Sequence, residues 1–334
     1  MEITVRNVNQ AFSEMFWKFK VENFKPEMTR NGPALVYPEP VTTIYRRPQE
    51  RVLFHSGRDA NPIFHLMESI WMLAGRRDVD FLQQFNSTIH RYSDDTEVFN
   101  AAYGYRMRHH FGEDQLLGVI SLLQKDPTTR QAIVQLWDPA DLNKETRDKA
   151  CNMQMIFDTR GGRLNMAVIN RSNDMWWGAY GANAVHFSVI QEFVALALGL
   201  PVGLYRQSSH NLHIYTELYN ASRYLERPPV YEEYDAYIDS VEPLPLFEGR
   251  DYLTFLQECE IFCDDPFNGD VKYKNPFFSK VAHPMAMVSR VRRKKLGDGR
   301  EFAQKIRASD WRVAVHDWIN RREAVKPIKE AVLI

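Results

Sequence analysis

The sequence has few cysteines, almost no net charge and no long uninterrupted apolar run. Three cysteines occur among 334 residues, Cys151, Cys259 and Cys263, and so odd and sparse a set argues against a secreted disulfide scaffold. The 42 Lys and Arg oppose 43 Asp and Glu, for a net charge of −1, which gives no reason for broad attraction to nucleic acid or membranes. We therefore expect a soluble cytoplasmic protein with no nucleic-acid or membrane partner.

Several other signals are missing as well. Residues 1–19 are interrupted by charges and Asn and lack the core of a signal peptide. The longest apolar stretch, residues 184–200, contains His186, Gln191 and Glu192, which predicts a buried helix rather than a membrane span. No zinc-type Cys/His spacing, Walker loop, G-x-G-x-x-G, G-x-S-x-G or H-E-x-x-H occurs. We expect no metal, and a P-loop NTPase, Rossmann dehydrogenase, α/β-hydrolase or zincin is disfavoured.

The pattern of apolar runs predicts one α+β domain spanning residues 1–334. It predicts helices over 61–74 (with Asn61 as N-cap), 114–125 and 185–198, and strands over 132–137, 153–157, 164–169 and 202–205. This order lacks regular βαβ alternation, which favours a mixed sheet with flanking helices. The basic segment 285–310 is predicted to be a solvated loop.

Two residues twenty positions apart could carry nucleophilic chemistry. Cys151 lies between a cation-rich loop and a predicted strand, a setting in which cations lower the pKa of a thiol. Arg171 directly follows the next apolar strand, and its planar guanidinium suits a phosphate or a thiolate. A small buried Cys and a loop salt bridge are the structural alternatives.

Glu68, His213 and Tyr215 are weaker candidates when taken alone. Glu68 interrupts an apolar helix, so it is either a general acid/base or an exposed residue of an amphipathic helix. His213 and Tyr215 lie two apart and share one face of an extended segment. There they would bind a sugar hydroxyl or form a purely structural pair.

Together these residues resemble the thymidylate synthase family, which includes the pyrimidine-nucleotide hydroxymethylases. The similarity runs from about Arg30 to Tyr215. It rests on an ordered series of motifs: Arg30-Asn31-Gly32, Glu68-Ser69-Ile70-Trp71, Tyr103-Gly104, Asp126-Pro127-Thr128-Thr129-Arg130, Cys151, Arg171-Ser172-Asn173-Asp174, Asn183 and His213-Ile214-Tyr215. The resemblance implies a thymidylate synthase-like fold whose sheet forms a dimer interface.

The resemblance also implies a role for each matching residue. Catalysis would involve Cys151 as nucleophile with Glu68, Tyr103 and Asp174. The nucleotide would be bound by Arg30, Arg130, Arg171, Ser172, Asn183, His213 and Tyr215. The folate would contact Asp174, Trp71, His90 and Gly178. Because the family's equivalent of Arg130 reaches the neighbouring subunit, a homodimer is expected.

Four departures from the family pattern cluster around the base and the cofactor. Gln131 replaces a second Arg, and Asn152 replaces the His that usually follows the nucleophile. The loop 178–183 is one residue longer and lacks a Pro. His90 stands nearest to a folate-lining Trp, although a shift of two residues would put Tyr92 there. Such a pattern indicates a family member whose reaction shares the family's early steps and differs in the later ones.

The implied reaction begins with addition of the Cys151 thiolate to C6 of a pyrimidine nucleoside monophosphate. C5 then takes a one-carbon unit from 5,10-methylenetetrahydrofolate. A hydroxymethylase next adds water, with Glu68 ordering it or relaying protons, whereas a synthase transfers hydride. Because His90 admits water more readily than Trp, we favour 5-hydroxymethylation. A thymidylate synthase and a non-catalytic nucleotide-binding homologue are the alternatives.

The identity of the base depends on the orientation of one amide. Asn183 could donate to O4 and accept from N3–H of uracil, or, with its amide reversed, serve cytosine. The residue type favours dUMP over dCMP or CMP, and the sequence leaves ribose and deoxyribose open.

Overall fold

The computed structural model describes residues 1–22, 24–221 and 235–324, and it contains two mixed sheets with flanking helices. The strands are β1 Glu2–Val5, β2 Glu27–Thr29, β3 Gly32–Val36, β4 Val41–Tyr45, β5 Ile133–Gln135, β6 Asn152–Asp158, β7 Leu164–Asn170, β8 Asn173–Asp174, β9 Val202–Ser209 and β10 Leu212–Tyr215. The helices are α1 Val8–Val21, α2 Pro62–Leu73, α3 Val79–Gln83, α4 Tyr103–Tyr105, α5 Gln115–Lys125, α6 Asn183–Leu198, α7 Thr216–Ala221, α8 Tyr252–Asp264, α9 His283–Arg293, α10 Arg300–Ala303 and α11 Ser309–Ala324.

The larger sheet has six strands in the order β1-β4-β9-β7-β6-β5. The pairs β1–β4 and β7–β9 are parallel and the other three are antiparallel. The α+β class with a mixed sheet is therefore confirmed. The sequence did not predict the second sheet, which has the order β2-β3-β10-β8 and carries several of the candidate residues.

The predicted helix ends have clear physical causes. Asn61 accepts the N–H of Phe64 at 3.1 Å, which caps the start of α2. Gly199 ends α6 with φ +68°, in the left-handed region that glycine adopts readily. The run Met175–Leu198 is long and apolar enough to span a membrane, but 83% of it is buried in the protein, as expected of a core helix.

The two faces of the larger sheet differ in burial. On one face the neighbouring residues of five strands are all buried: Thr43, Gln207, Val168, Met155 and Val134. On the other face the adjacent row is only half-buried: Thr42, Ser208, Ile169, Gln154 and Gln135. One face packs on the core, including α6, and the other is left partly open to solvent.

The prediction of a solvated loop over 285–310 is wrong. Residues 283–293 form α9, and Met285, Val288 and Val291 are buried at helical spacing between the cations. The cations are themselves engaged, since the guanidinium of Arg292 lies 5.4 Å from the ring centre of Trp318. The sequence did not predict this helix because its charged residues obscure the three-residue spacing of Met285, Val288 and Val291.

Candidate active site

Cys151 lies immediately before β6 and is held there by a tyrosine. The hydroxyl oxygen of Tyr103 accepts the backbone N–H groups of Cys151, at 3.1 Å, and of Asn152, at 3.3 Å. Tyr103 comes this close because the next residue is Gly104, where a Cβ would lie 2.2 Å from the carbonyl oxygen of Met72. The Tyr-Gly pair therefore fixes the position of the predicted nucleophile.

Arg171 is the nearest cation to the thiol. Its Nε donates to the carbonyl of Ala150 at 2.8 Å, and its terminal nitrogen lies 3.7 Å from Sγ of Cys151. The guanidinium carbon also lies 5.6 Å from the ring centre of Trp137, a contact that the sequence did not predict. Arg171 and Cys151 thus come together as expected from their sequence context.

The expected direction of the Cys151 pKa shift is wrong. Burial raises the pKa of the Cys151 thiol above its ordinary value, and the carboxylate of Asp148 adds to this shift. Arg171 and Arg30 lower the pKa but do not outweigh the burial. In the free protein, burial therefore favours the protonated thiol over the thiolate.

A cavity of about 220 Å³ contains several of the predicted side chains. Its apolar wall includes Trp71, whose indole N–H donates to the carbonyl of Asp78 at 3.2 Å and so fixes the ring. Its polar members include Glu68, Tyr103, Asp148, Asn183 and His186. Such a mostly apolar cavity with a few polar groups is typical of a small-molecule site.

Asp148 and His186 are cavity residues that the sequence analysis missed. Nε2 of His186 lies 3.2 Å from Oε2 of Glu68, without the angle of a hydrogen bond. The ring of His65 meets that of His186 edge-on, and burial lowers the pKa of His65 well below its ordinary value, so His65 is neutral. One oxygen of Asp148 accepts the N–H of Ala101 at 2.8 Å.

Asn183 is the first residue of α6 and is oriented by a second asparagine. Its Nδ2 donates to Oδ1 of Asn173 at 3.0 Å. Gly178, predicted to bind the cofactor, makes room for this contact, because a Cβ there would lie 2.7 Å from Oδ1 of Asn173. The sequence predicted that Asn183 alone would bind the base, but the structure shows that its side chain is paired with that of Asn173.

Two of the predicted nucleotide-binding residues, Arg30 and Tyr215, line a second, wider cleft together with Trp177. The rings of His213 and Tyr215 meet edge-on at 5.2 Å, as expected for neighbours on one strand face. The hydroxyl of Tyr215 accepts Nδ2–H of Asn31 at 3.2 Å. The adjacent Tyr92 lines both this cleft and the smaller cavity.

Asp174 carries a buried acceptor without a partner. It caps the helical turn Met175–Ala182 by accepting the N–H of Trp177, while its Oδ2 makes no hydrogen bond to any residue that the structure describes. Burial raises the pKa of Asp174 to about 6, and Arg58 opposes the shift. An unpaired acceptor of this kind suits a ligand that presents N–H groups.

Of the predicted residues, Glu68, Trp71, Tyr103 and Asn183 line the cavity, whereas Arg130, Ser172 and His90 are among those that do not. Arg130 is exposed, and within the described ranges it makes no hydrogen bond or ion pair. Ser172 is half-buried beside Arg171. His90 belongs to the turn Ile89–Tyr92, but the cavity is lined by Ile89 and Tyr92 rather than by His90.

Comparison with known proteins shows the family to which this chain belongs. A family model described as thymidylate synthase matches residues 60–238. A deoxyuridylate hydroxymethyltransferase of Pseudomonas phage M6 is 42% identical over 98% of this chain and 96% of its own length. A deoxyuridylate hydroxymethyltransferase of Bacillus phage SP01 is 34% identical, over 70% and 67%. A thymidylate synthase of Symbiobacterium thermophilum is 31% identical, over 47% and 60%. The chain belongs to the thymidylate synthase family.

Proposed function

We propose that this protein is a folate-dependent transferase that converts deoxyuridylate to its 5-hydroxymethyl derivative. The observation that carries the proposal is the near full-length similarity, at 42% identity, to the phage M6 deoxyuridylate hydroxymethyltransferase. The thymidylate synthase of Symbiobacterium matches less than half of the chain. The polar groups of the cavity give the proposal a chemical basis, because the last step needs a place for water.

The first step uses Cys151, whose backbone N–H is bound by the cavity-lining Tyr103. Sγ bonds to C6 of the pyrimidine as the thiol proton passes to solvent, and C5 becomes nucleophilic. Arg171, 3.7 Å from the sulfur, stabilises negative charge there. The hydroxyl of Tyr103, which accepts the backbone N–H of Cys151, would relay to solvent the proton that C5 loses after C5 has bonded to the one-carbon unit.

The residues present fit 5,10-methylenetetrahydrofolate as the donor. When bound, this group supplies a one-carbon unit at the oxidation level of formaldehyde. The unpaired Oδ2 of Asp174 offers an acceptor to N–H groups of the pterin ring. Trp71, held by Asp78, provides a fixed aromatic wall.

The final step adds water to the exocyclic methylene of the pyrimidine. The water oxygen bonds to that carbon, its proton passes to a base, and the electron pair returns through C5 to expel the Cys151 thiolate. Glu68 is the proposed base, because it lines the cavity and has His186 3.2 Å behind it to take the proton onward. Asp148 is a second carboxylate in reach of the same space.

The decisive experiment is mass spectrometry of the products formed from dUMP, dCMP and CMP with methylenetetrahydrofolate. We expect dUMP to gain CH2O, with no rise in dihydrofolate absorbance. A gain of CH2 with stoichiometric dihydrofolate would instead identify a thymidylate synthase. Absence of a covalent adduct with 5-fluoro-dUMP and the folate would favour the non-catalytic alternative.

We also propose that the protein works as a homodimer joined through the half-buried face of the larger sheet. Arg130, which is exposed and makes no hydrogen bond or ion pair with the residues that the structure describes, would then complete the phosphate site of the partner. Mixing inactive Arg130→Ala with inactive Cys151→Ala should restore about a quarter of wild-type activity, since random mixing makes half of the dimers hybrid, each with one intact site. A monomer in sedimentation at assay concentration would contradict this proposal.

A further inference from the structure

We propose that Asn173 determines base specificity: it holds the Asn183 amide in the orientation that reads uracil and disfavours cytosine. The inference rests on the proposed function and names a residue that acts through another. Asn173 is a positioning residue, since Asn183 rather than Asn173 lines the cavity. Asn173 lies outside the lengthened loop 178–183, and it is not one of the four departures from the family pattern.

Three buried side chains form a continuous chain of hydrogen bonds. Nδ2 of Asn183 donates to Oδ1 of Asn173 at 3.0 Å, and Nδ2 of Asn173 donates to Oγ of Ser209 at 3.1 Å. Their exposed fractions are 9%, 3% and 2% respectively. Because water does not reach the inner two, each amide in this chain depends on its protein partner.

The backbone holds the middle member of the chain in place. Asn173 is the first residue of β8, and its N–H donates to the carbonyl of Asn211 at 2.8 Å. Gly178 leaves the space that Oδ1 of Asn173 occupies, since a Cβ at that position would approach to 2.7 Å. The glycine and the strand together leave the Asn173 side chain little freedom to move away from Asn183.

The donor and acceptor that these hydrogen bonds leave free on Asn183 determine which base it can bind. With one N–H given to Asn173, Asn183 keeps one N–H and Oδ1, which match O4 and N3–H of uracil. Cytosine presents an acceptor at N3 and an amine at C4, so Asn183 would have to reverse. Its oxygen would then face Oδ1 of Asn173 across the distance now spanned by a hydrogen bond, 3.0 Å. Binding cytosine therefore requires Asn183, Asn173 and the Ser209 hydroxyl to reverse together.

The test compares kcat/KM for dUMP and dCMP in two variants of Asn173. Asn173→Leu removes the acceptor at similar volume and frees the Asn183 amide, so the dUMP preference should fall about 10- to 100-fold. Asn173→Asp offers only acceptors to Asn183, so the preference should be kept or increased. The matched control is Asn165→Leu, which removes a buried Asn whose Nδ2 donates to Asp158 at 2.9 Å. This control should leave the preference unchanged.

A purely structural role for Asn173 would lower stability or total activity without moving the ratio. A folded Asn173→Leu enzyme with the wild-type ratio would overturn the inference, as would a lowered ratio in Asn173→Asp. If Asn173→Leu does not fold, Ser209→Ala removes the innermost member of the hydrogen-bonded series instead and should lower the ratio by a smaller factor. A wild-type enzyme that makes no 5-hydroxymethyl product from dUMP refutes the proposed function. One that makes it from dUMP and dCMP equally well refutes only the role of Asn173.

Discussion

The two ends of the candidate site differ in how far their polar groups are already satisfied. At the nucleophile end, Tyr103 accepts two backbone N–H groups and Arg171 donates to backbone carbonyls. At the hydration end, which we define as Glu68, Asp148 and His186, Nε2 of His186 is buried without a hydrogen bond to any described residue. The polar groups at the nucleophile end are held by hydrogen bonds within the protein. The hydration end instead includes a polar atom that is available to bind substrate or water.

The difference matches the order of the proposed reaction. Addition of a thiol to C6 needs a sulfur at one defined position, which fixed hydrogen bonds provide. Hydration needs groups that can take a proton from water, and such groups must have a free lone pair. We therefore expect substitutions at the nucleophile end to abolish the reaction and those at the hydration end to slow its last step.

The largest effect is expected at Cys151. Cys151→Ala should lower turnover by about 10⁴-fold or more, because no other group can form the bond to C6. Nucleotide binding should persist, since Arg171 and His213 remain. Cys259→Ala is the matched control: that thiol is buried in α8, and turnover should change less than about twofold. Normal turnover in Cys151→Ala would exclude the mechanism.

Glu68 should show the next largest effect. Glu68→Gln keeps the shape but removes the base, so hydroxymethyl formation should slow by about 10²- to 10³-fold, measured as single-turnover product formation. Asp148→Asn should cost about tenfold, because one oxygen of Asp148 is already committed to the N–H of Ala101. If Asp148→Asn proves the more damaging change, the two carboxylates must exchange roles.

These expectations draw on residues that the sequence revealed to different extents. Motif order led to Cys151, Tyr103 and Arg171. Cys151 and Arg171 also border strands that the apolar pattern predicts, whereas Tyr103 was indicated by the family motif alone. His186 could not be recognised, since a His inside an apolar helix is usually a core residue. Its proximity to Glu68 depends on the packing of α6 against α2, which is a long-range property.

The fold was predictable to a similar, partial degree. Long apolar segments such as α6 and β7 were located within a few residues, because burial on every side leaves a strong signal. The four-stranded sheet was not predicted, since its strands have two to five residues and little apolar alternation. The pKa direction of Cys151 was also missed, because the sequence shows nearby cations but not the burial that outweighs them.

Asp174 should give a moderate, pH-dependent effect. Its pKa is raised to about 6 by burial, so above pH 6 it is a carboxylate that accepts N–H groups, and below pH 6 it is protonated. Affinity for tetrahydrofolate should therefore weaken about tenfold between pH 7.5 and pH 5, measured by fluorescence titration of the nucleotide complex. Asp174→Asn should bind weakly at both pH values. A wild-type affinity that does not change with pH would contradict the assignment.

His90 should give the smallest effect, although the sequence favoured it as the residue that admits water. The structure lines the cavity with its neighbours Ile89 and Tyr92 instead, so a larger side chain at position 90 has no direct way to exclude water from the methylene carbon. His90→Trp should change kcat less than about twofold and yield no methyl product, whereas Ile89→Trp should narrow the cavity and slow hydroxymethylation about tenfold. Product analysis by mass spectrometry separates the two outcomes. Appearance of the methyl product in His90→Trp would restore His90 as the residue that selects water over hydride.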